Sequence, residues 1–146
     1  MPKPFAFKLD KVLEYRTQLE EQAKAALAQA QAAFDAQRDA VADLRARMEA
    51  HAAKEAESQK SANDMWLWRQ YQQALEGDIA AAEMELSKLE LNLHNCRQTA
   101  VDRARERKLL DTLKENQAKL HKAEERAREE KEYDEMAIIR RQSQDI

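Results

Sequence analysis

Residues 54–64, KEAESQKSAND, separate two long stretches of the chain in which apolar residues recur three and four positions apart. No large apolar residue lies between Met48 and Met65, whereas serine, asparagine and aspartate, which favour turns and helix N-termini, cluster there. The segment therefore predicts a turn, with Asn63 or Asp64 capping the helix that follows. Because it contains neither glycine nor proline, one unbroken helix is the alternative.

Before this segment the apolar positions alternate in steps of three and four, which is the heptad seam of a coiled coil. The predicted seam consists of Leu9, Val12, Arg16, Leu19, Ala23, Ala26, Ala30 and Ala33, and then, after a slip of one residue, Phe34, Gln37, Val41, Leu44 and Met48. Local winding of the helix can absorb such a slip.

After the segment the same alternation resumes and continues almost to the end of the chain. The predicted seam consists of Trp68, Tyr71 or Gln72, Leu75, Ile79, Ala82, Leu86, Leu89, Leu93, Cys96 and Ala100, weakens at Arg103 and Arg107, and returns at Leu110, Leu113, Gln117 and Leu120. Two seamed helices joined by a short loop predict an antiparallel hairpin.

The expected fold is all-α: a single coiled-coil domain over residues 1–146, with helix 1 at about 7–55, a turn at 56–64 and helix 2 at about 65–141. Residues 115–140 have no partner in this hairpin, so the second helix overhangs the first. One glycine in 146 residues leaves few places for tight turns, which excludes sheets, barrels and phosphate-binding loops. The 27 alanines predict a thin core.

The single cysteine, Cys96, cannot form an internal disulfide, which favours a reducing compartment. The N-terminal residues include no apolar stretch typical of a signal peptide, and no window approaches the 18 apolar residues of a membrane span. These observations predict a cytoplasmic protein.

Charge is unevenly distributed although the net charge is only −3. Residues 3–24 carry +1 and 97–131 carry +3, and the hairpin brings these segments together, whereas 25–96 carry −5. The two ends of the hairpin therefore suit different partners. Residues 97–110, RQTAVDRARERKLL, interleave acidic residues and lack stacking aromatics, so we expect no nucleic-acid binding.

No catalytic, metal or cofactor site is predicted. His51, His94 and His121 lie far apart and are expected at the surface or the seam edge, and Cys96 is expected to pack as a small apolar seam residue. A two-helix hairpin provides no pocket in which carboxylates are desolvated for acid–base chemistry. The chain is therefore not expected to be an enzyme.

Three aromatic residues follow the turn: Trp66, Trp68 and Tyr71. They either cap the end of the hairpin over Met48 and Leu44 or form an exposed partner-binding patch. Spacing alone leaves both interpretations open.

Four stretches, in this order, resemble the flagellar export protein FliJ family. They are FKLDKVLEYR at 7–16, WLWRQYQQALEGDI at 66–79, ERKLLDTLKE at 106–115 and EEKEYDEMA at 129–137. The resemblance implies a non-enzymatic coiled-coil stalk of the flagellar type III export apparatus, and therefore a role in motility and chemotaxis. It also implies that the stalk binds the export ATPase hexamer, promotes its assembly and activity, and escorts export chaperones.

The resemblance further implies that the end near the turn binds the cytoplasmic domain of the export gate protein FlhA. The gate-binding residues carried over are Val41, Leu44, Met48, Tyr71, Leu75, Asp78 and Ala82. At the other end, Arg103, Arg105, Arg107 and Lys108 are hypothesised to meet acidic loops of the ATPase ring.

By this resemblance the protein is cytoplasmic and reaches the inner face of the membrane only through its partners. The alternatives are the equivalent stalk protein of an injectisome and a generic coiled-coil scaffold or holdase chaperone.

Overall fold

A computed structural model describes residues 3–144 of the chain. Helix α1 spans Asp10–Ala53, a short 3-10 helix spans Ala56–Lys60, and helix α2 spans Ala62–Gln144. Within the described residues there is no strand, and the two long helices pack against each other, which confirms the predicted all-α helical hairpin. The predicted bounds differ in detail: α1 begins three residues later than expected, and α2 begins inside the predicted turn.

Ser61, rather than Asn63 or Asp64, is the N-terminal cap of α2. Its backbone is extended (φ −151°, ψ 162°), and its Oγ accepts a hydrogen bond from the Asp64 N–H at 3.1 Å. This contact satisfies one of the four N–H groups that lack a helical partner at a helix start. Asp64 lies in the first turn, where a negative charge is favourable.

The hairpin divides into two compact units. Unit 1 consists of Met1–Glu20 and Asp102–Ile146, and unit 2 consists of Glu21–Val101. Each unit therefore contains a part of α1 and a part of α2.

In unit 2 both helices keep a regular heptad seam of buried and half-buried residues. The seam consists of Ala23, Leu27, Ala30, Phe34, Gln37, Val41, Leu44, Met48 and His51 from α1, and Trp68, Gln72, Leu75, Ile79, Ala82, Leu86, Leu89, Leu93, Cys96 and Ala100 from α2. The predicted seam is confirmed from Phe34 onward and throughout this part of α2. The predicted slip is wrong, because Ala26 and Ala33 are exposed and Leu27 and Ala30 continue the same heptads without interruption.

In unit 1 the seam is largely polar. It agrees with the prediction at Arg16, Arg103, Arg107 and Leu110, but elsewhere it is shifted by one residue. It consists of Leu13, Arg16 and Glu20 from α1, and Arg103, Arg107, Leu110, Lys114, Ala118 and His121 from α2. The predicted seam residues Val12, Leu113 and Leu120 are exposed instead. Leu13 is the buried apolar residue of α1 in this unit, and α2 contributes none among its described residues.

The segment before α1 extends the pairing beyond the predicted limit. The carbonyl of Lys3 accepts a hydrogen bond from His121 Nε2 at 2.9 Å, and the Phe5 ring lies 5.7 Å from the His121 ring. The expectation that residues 115–140 are unpartnered is therefore wrong as far as His121. Every residue from 126 to 144 is exposed, so α2 continues past its last partner in this unit.

Candidate functional site

Near the turn, unit 2 is closed by a contact between His51 of α1 and Trp68 of α2. Their rings stack at 4.5 Å with an interplanar angle of 16°. Trp68 Nε1 donates to the His51 carbonyl at 3.0 Å, and His51 Nε2 lies 2.8 Å from the Trp68 carbonyl. Because a carbonyl only accepts, His51 Nε2 carries the proton, and the two hydrogen bonds are reciprocal. We call this contact the His51–Trp68 clasp.

The aromatic residues after the turn divide between the two roles that their spacing left open. Trp68 closes the hairpin by stacking on His51. Tyr71 contributes to both roles, since its ring meets the His51 ring edge-on at 4.7 Å while 49% of the residue is exposed. Trp66 is 57% exposed and is available to a partner.

Sequence reasoning missed His51 as a seam residue. It was expected at the surface or the seam edge, yet it is half-buried and continues the spacing of Leu44 and Met48. Extending the steps of three and four by one more residue would have found it.

The structure separates the seven predicted gate-binding residues by burial. Val41 and Leu75 are 5% and 4% exposed and belong to the core of unit 2. Leu44, Met48 and Ala82 are half-buried, and the Ala82 carbonyl accepts a hydrogen bond from Gln37 Nε2 at 3.0 Å. Tyr71 and Asp78 are exposed. Of the seven, these two present the largest accessible part to a partner.

The predicted ATPase-binding cations are likewise of two kinds. Arg103 Nη1 donates to Glu106 at 3.2 Å, and Arg107 donates both to the buried Glu20 of α1 and, at 2.6 Å, to Asp111. Arg107 therefore joins α2 to α1, whereas the Arg103 contact lies within α2.

Arg105 and Lys108 lie on the outside of α2. Both are exposed, and within residues 3–144 neither makes a hydrogen bond or an ion pair. They are the members of the predicted set that are available to an acidic partner.

Further ion pairs join the helices along the rest of unit 1. Arg16 Nη1 lies 2.7 Å from Glu106 Oε2, and Lys114 Nζ lies 2.8 Å from Asp10 Oδ1. The hydrogen bond to Asp10 raises the pKa of Lys114 above its ordinary value, although partial desolvation opposes the shift. The hydrogen bonds to Glu20 and Asp111 raise the pKa of Arg107 in the same way.

Within residues 3–144 no group of three or more His, Cys, Asp or Glu side chains is arranged to hold a metal ion. In the same part of the chain, no helix is long and apolar enough to cross a bilayer.

A family model described as "Flagellar FliJ protein" matches residues 5–145. The chain belongs to the FliJ family. Neither the curated proteins nor the solved structures gave a match to it. Membership gives this FliJ-family chain a role in flagellar export, and the family is one of non-enzymatic flagellar proteins that associate with the export apparatus. The resemblance drawn from the four sequence stretches is thereby confirmed.

Proposed function

We propose that the chain is the stalk of the flagellar type III export apparatus. It binds the export ATPase hexamer with unit 1, promotes assembly and activity of the ring, and contacts the export gate with unit 2. The observation that carries the proposal is the family match over residues 5–145 on a helical hairpin with two chemically different units.

The ATPase contact rests on the cations that unit 1 leaves available. Arg105 and Lys108 are exposed and unpaired among the described residues, so they can meet acidic ring loops without disturbing the hairpin. Arg107 supports them indirectly by joining α2 to Glu20 of α1, whereas Arg103 pairs with Glu106 within α2. This division of roles refines the hypothesis that all four cations act alike.

The gate contact rests on Tyr71 and Asp78, which are the most accessible of the seven residues carried over by resemblance. Tyr71 is held edge-on by His51, so an aromatic anchor is oriented before the partner arrives. The partner proposed for this surface is the cytoplasmic domain of FlhA.

The remaining parts of the proposal follow from the same role. The protein is cytoplasmic, reaches the membrane only through its partners, escorts export chaperones, and contributes to motility and chemotaxis. It carries out no catalysis and needs no cofactor, because the stalk acts by stiffness and contact.

A reconstitution with the purified export ATPase tests the stalk role. The full chain is expected to increase both the hexamer fraction and the rate of ATP hydrolysis at substoichiometric amounts. The double variant Arg105→Glu/Lys108→Glu should lose most of this stimulation while circular dichroism shows unchanged helicity. The matched control is Arg69→Glu/Lys88→Glu, which reverses two exposed cations of unit 2.

If the double variant stimulates the ATPase as well as the unmodified chain does, the assignment of unit 1 to the ring is wrong. If the chain only suppresses aggregation of client proteins and leaves hexamer formation unchanged, it is a holdase and the stalk role is wrong.

The gate contact is tested by pull-down with the FlhA cytoplasmic domain. Tyr71→Ala and Asp78→Ala should weaken binding, whereas Met84→Ala, at a residue 66% exposed in the same unit, should not. Leu75→Ala is a poor test, because Leu75 is core and its loss unfolds the surface it supports. Retained binding in both test variants would contradict this assignment.

A further inference from the structure

One side of unit 1 is apolar and uncovered. Its exposed residues are Val12 and Tyr15 from α1 and Leu109, Leu113 and Leu120 from α2, and the half-buried Leu19 of α1 adjoins them. Tyr15 is 57% exposed, Leu109 73% and Leu120 60%. We call this set the apolar side of unit 1. Large apolar residues are unusual in such a row on a surface that meets only water.

Heptad geometry places these residues on the same side of the unit. Val12 and Leu19 are seven residues apart, as are Leu113 and Leu120, so each pair forms a strip along its helix. Each strip lies one residue before a row of seam residues, since Val12 precedes Leu13 and Leu113 precedes Lys114. In an antiparallel pair of helices, the positions that directly precede this seam row lie on the same flank in both helices. The row that contains Leu113 also contains Glu106, whose carboxylate reaches across to Arg16 of α1 at 2.7 Å.

The opposite flank is independently located by a shallow polar groove. Asp10, Glu14 and Thr17 of α1 line this groove together with Asp111 and Lys114 of α2. The polar and apolar sides of unit 1 are therefore distinct, and the polar side is the one with carboxylates from both helices.

The rim of the apolar side is basic. On α2 the row of residues next to the apolar side contains Arg105, Lys119 and Arg126, which are separated by fourteen and by seven residues. On α1 the corresponding row contains Lys11, four residues before Tyr15. All four are exposed, and neither row contains an acidic residue within the unit. We call these four residues the basic rim.

The arrangement is confined to unit 1. The same heptad position of α2 that carries Leu113 and Leu120 in unit 1 carries Tyr71 near the turn of unit 2 and, after it, only polar residues. Those residues are Asp78, Glu85, Asn92 and Thr99. The apolar side is therefore not a general feature of the two helices.

We infer that the apolar side of unit 1 is a docking surface for an amphipathic helix whose apolar stripe is flanked by acidic residues. The partner's apolar stripe covers the leucines, and its flanking carboxylates meet the basic rim. A second copy of this chain fits less well, because its own apolar side carries the same basic rim and would bring like charges together. The inference goes beyond the proposed function and does not require the ATPase to be the partner.

Two synthetic helical peptides of about four heptads, long enough to be helical when bound, provide the probe. Both carry leucine along the stripe, with glutamate at the flanks of one and lysine at the flanks of the other. The full chain should bind the glutamate peptide at least about tenfold more tightly by calorimetry. Equal affinity for the two peptides, or no binding, would overturn the inference.

Variants of the full chain locate the site. Leu120→Gln and Lys119→Glu should each weaken binding of the glutamate peptide by about fivefold or more. The matched controls are Leu91→Gln, at a residue 62% exposed in unit 2, and Lys122→Glu, which lies on α2 outside the rim, and neither should change it. A loss as large in Leu91→Gln as in Leu120→Gln would overturn the inference.

Two further measurements test whether a second copy of the chain or a lipid surface covers the apolar side instead. Sedimentation equilibrium that shows a dimer of the chain, abolished by Leu120→Gln, would assign the apolar side to a second copy instead. Binding to vesicles rich in phosphatidylserine, lost in Leu120→Gln while the peptide does not bind, would assign it to a lipid surface. Each of these results would overturn the proposal of an acidic helix.

Discussion

Units 1 and 2 are built from the same two helices, yet different chemistry fills their seams. In unit 2 apolar residues dominate the seam, and Val41, Leu75 and Leu93 are at most 5% exposed. In unit 1 the seam contains Glu20 and Arg107 beside Leu13 and Leu110, whereas Leu109, Leu113 and Leu120 lie outside it. The comparison shows that heptad spacing decides which residues face the partner helix. The type of those residues decides how strongly they stabilise the pair of helices and how this stabilisation depends on salt.

The largest difference is expected from truncation of the core of unit 2. Leu93 is 3% exposed, so Leu93→Ala should lower the free energy of unfolding by about 2–3 kcal/mol. Truncation of Leu110, the half-buried leucine in the seam of unit 1, to alanine should lower the free energy of unfolding by about 1 kcal/mol. Urea unfolding followed by circular dichroism measures both. Leu91→Ala is the matched control, and a loss there equal to that in Leu93→Ala would contradict the seam assignment.

The His51–Trp68 clasp should have an intermediate effect. Trp68→Phe keeps an aromatic ring against His51 but removes the donor to its carbonyl, which should cost about 1 kcal/mol. Trp66→Phe changes an exposed residue and should leave the urea midpoint unaltered. Equal midpoints for the two variants would show that the reciprocal hydrogen bonds do not stabilise the turn end.

Gly77 offers a way to widen the stability difference between the units. A Cβ at this position would meet nothing within 4 Å, and the residue is exposed in the middle of α2. Gly77→Ala should therefore stabilise unit 2 by about 1 kcal/mol through helix propensity alone. Hydrogen exchange should show greater protection of unit 2 amides and unchanged protection in unit 1. A destabilised variant would mean that the glycine is required by a contact.

The smallest effect is expected from alkaline pH in unit 1. Because the pKa of Lys114 is raised in the folded state, its pair with Asp10 stabilises unit 1 fully below the ordinary value of about 10.5. This contribution disappears as pH rises through the raised pKa. Thermal unfolding of the unmodified chain and of Lys114→Gln should therefore differ at neutral pH and converge at strongly alkaline pH. A difference that persists there would contradict a charge-based role.

Much of the fold was predictable from the sequence because unit 2 obeys apolar periodicity. Phe34, Val41 and Leu44, and likewise Leu75 and Leu93, identify their seam positions by residue type. Periodicity also located the turn, although three adjacent cap candidates of similar propensity made Ser61 indistinguishable from Asn63 and Asp64.

Part of the seam of unit 1 was predicted one residue out of register for a physical reason. Hydrophobic pattern matching selects Leu19 and Leu113, whereas the seam contains the neighbouring Glu20 and Lys114, which pair with Arg107 and Asp10 of the other helix. A charged seam is invisible to a rule that searches for apolar residues. The extended segment that pairs with His121 has no helical period and was missed for the same reason.

The residues of the candidate site could be chosen from the sequence, but which of their side chains are accessible to a partner could not. The sequence supplied Arg103, Arg105, Arg107 and Lys108 as one basic group. Only the arrangement of the two helices shows that Arg107 is engaged with Glu20 whereas Arg105 is available. Apolar spacing does not show which charged residue of the other helix lies opposite a given cation, so it could not predict this pairing.

Hydrogen exchange with mass spectrometry at low and high salt tests most directly the claim that different forces hold the two units. Raising sodium chloride from about 0.1 M to 1 M shortens the screening length from about 10 Å to 3 Å. Amides at 13–20 and 103–121, in unit 1, should exchange faster in high salt, while those at 27–48 and 72–96, in unit 2, should stay as protected or become more so. Glu20→Gln should reproduce the effect of salt in unit 1. An equal response of both units, or faster exchange in unit 2 alone, would contradict the account.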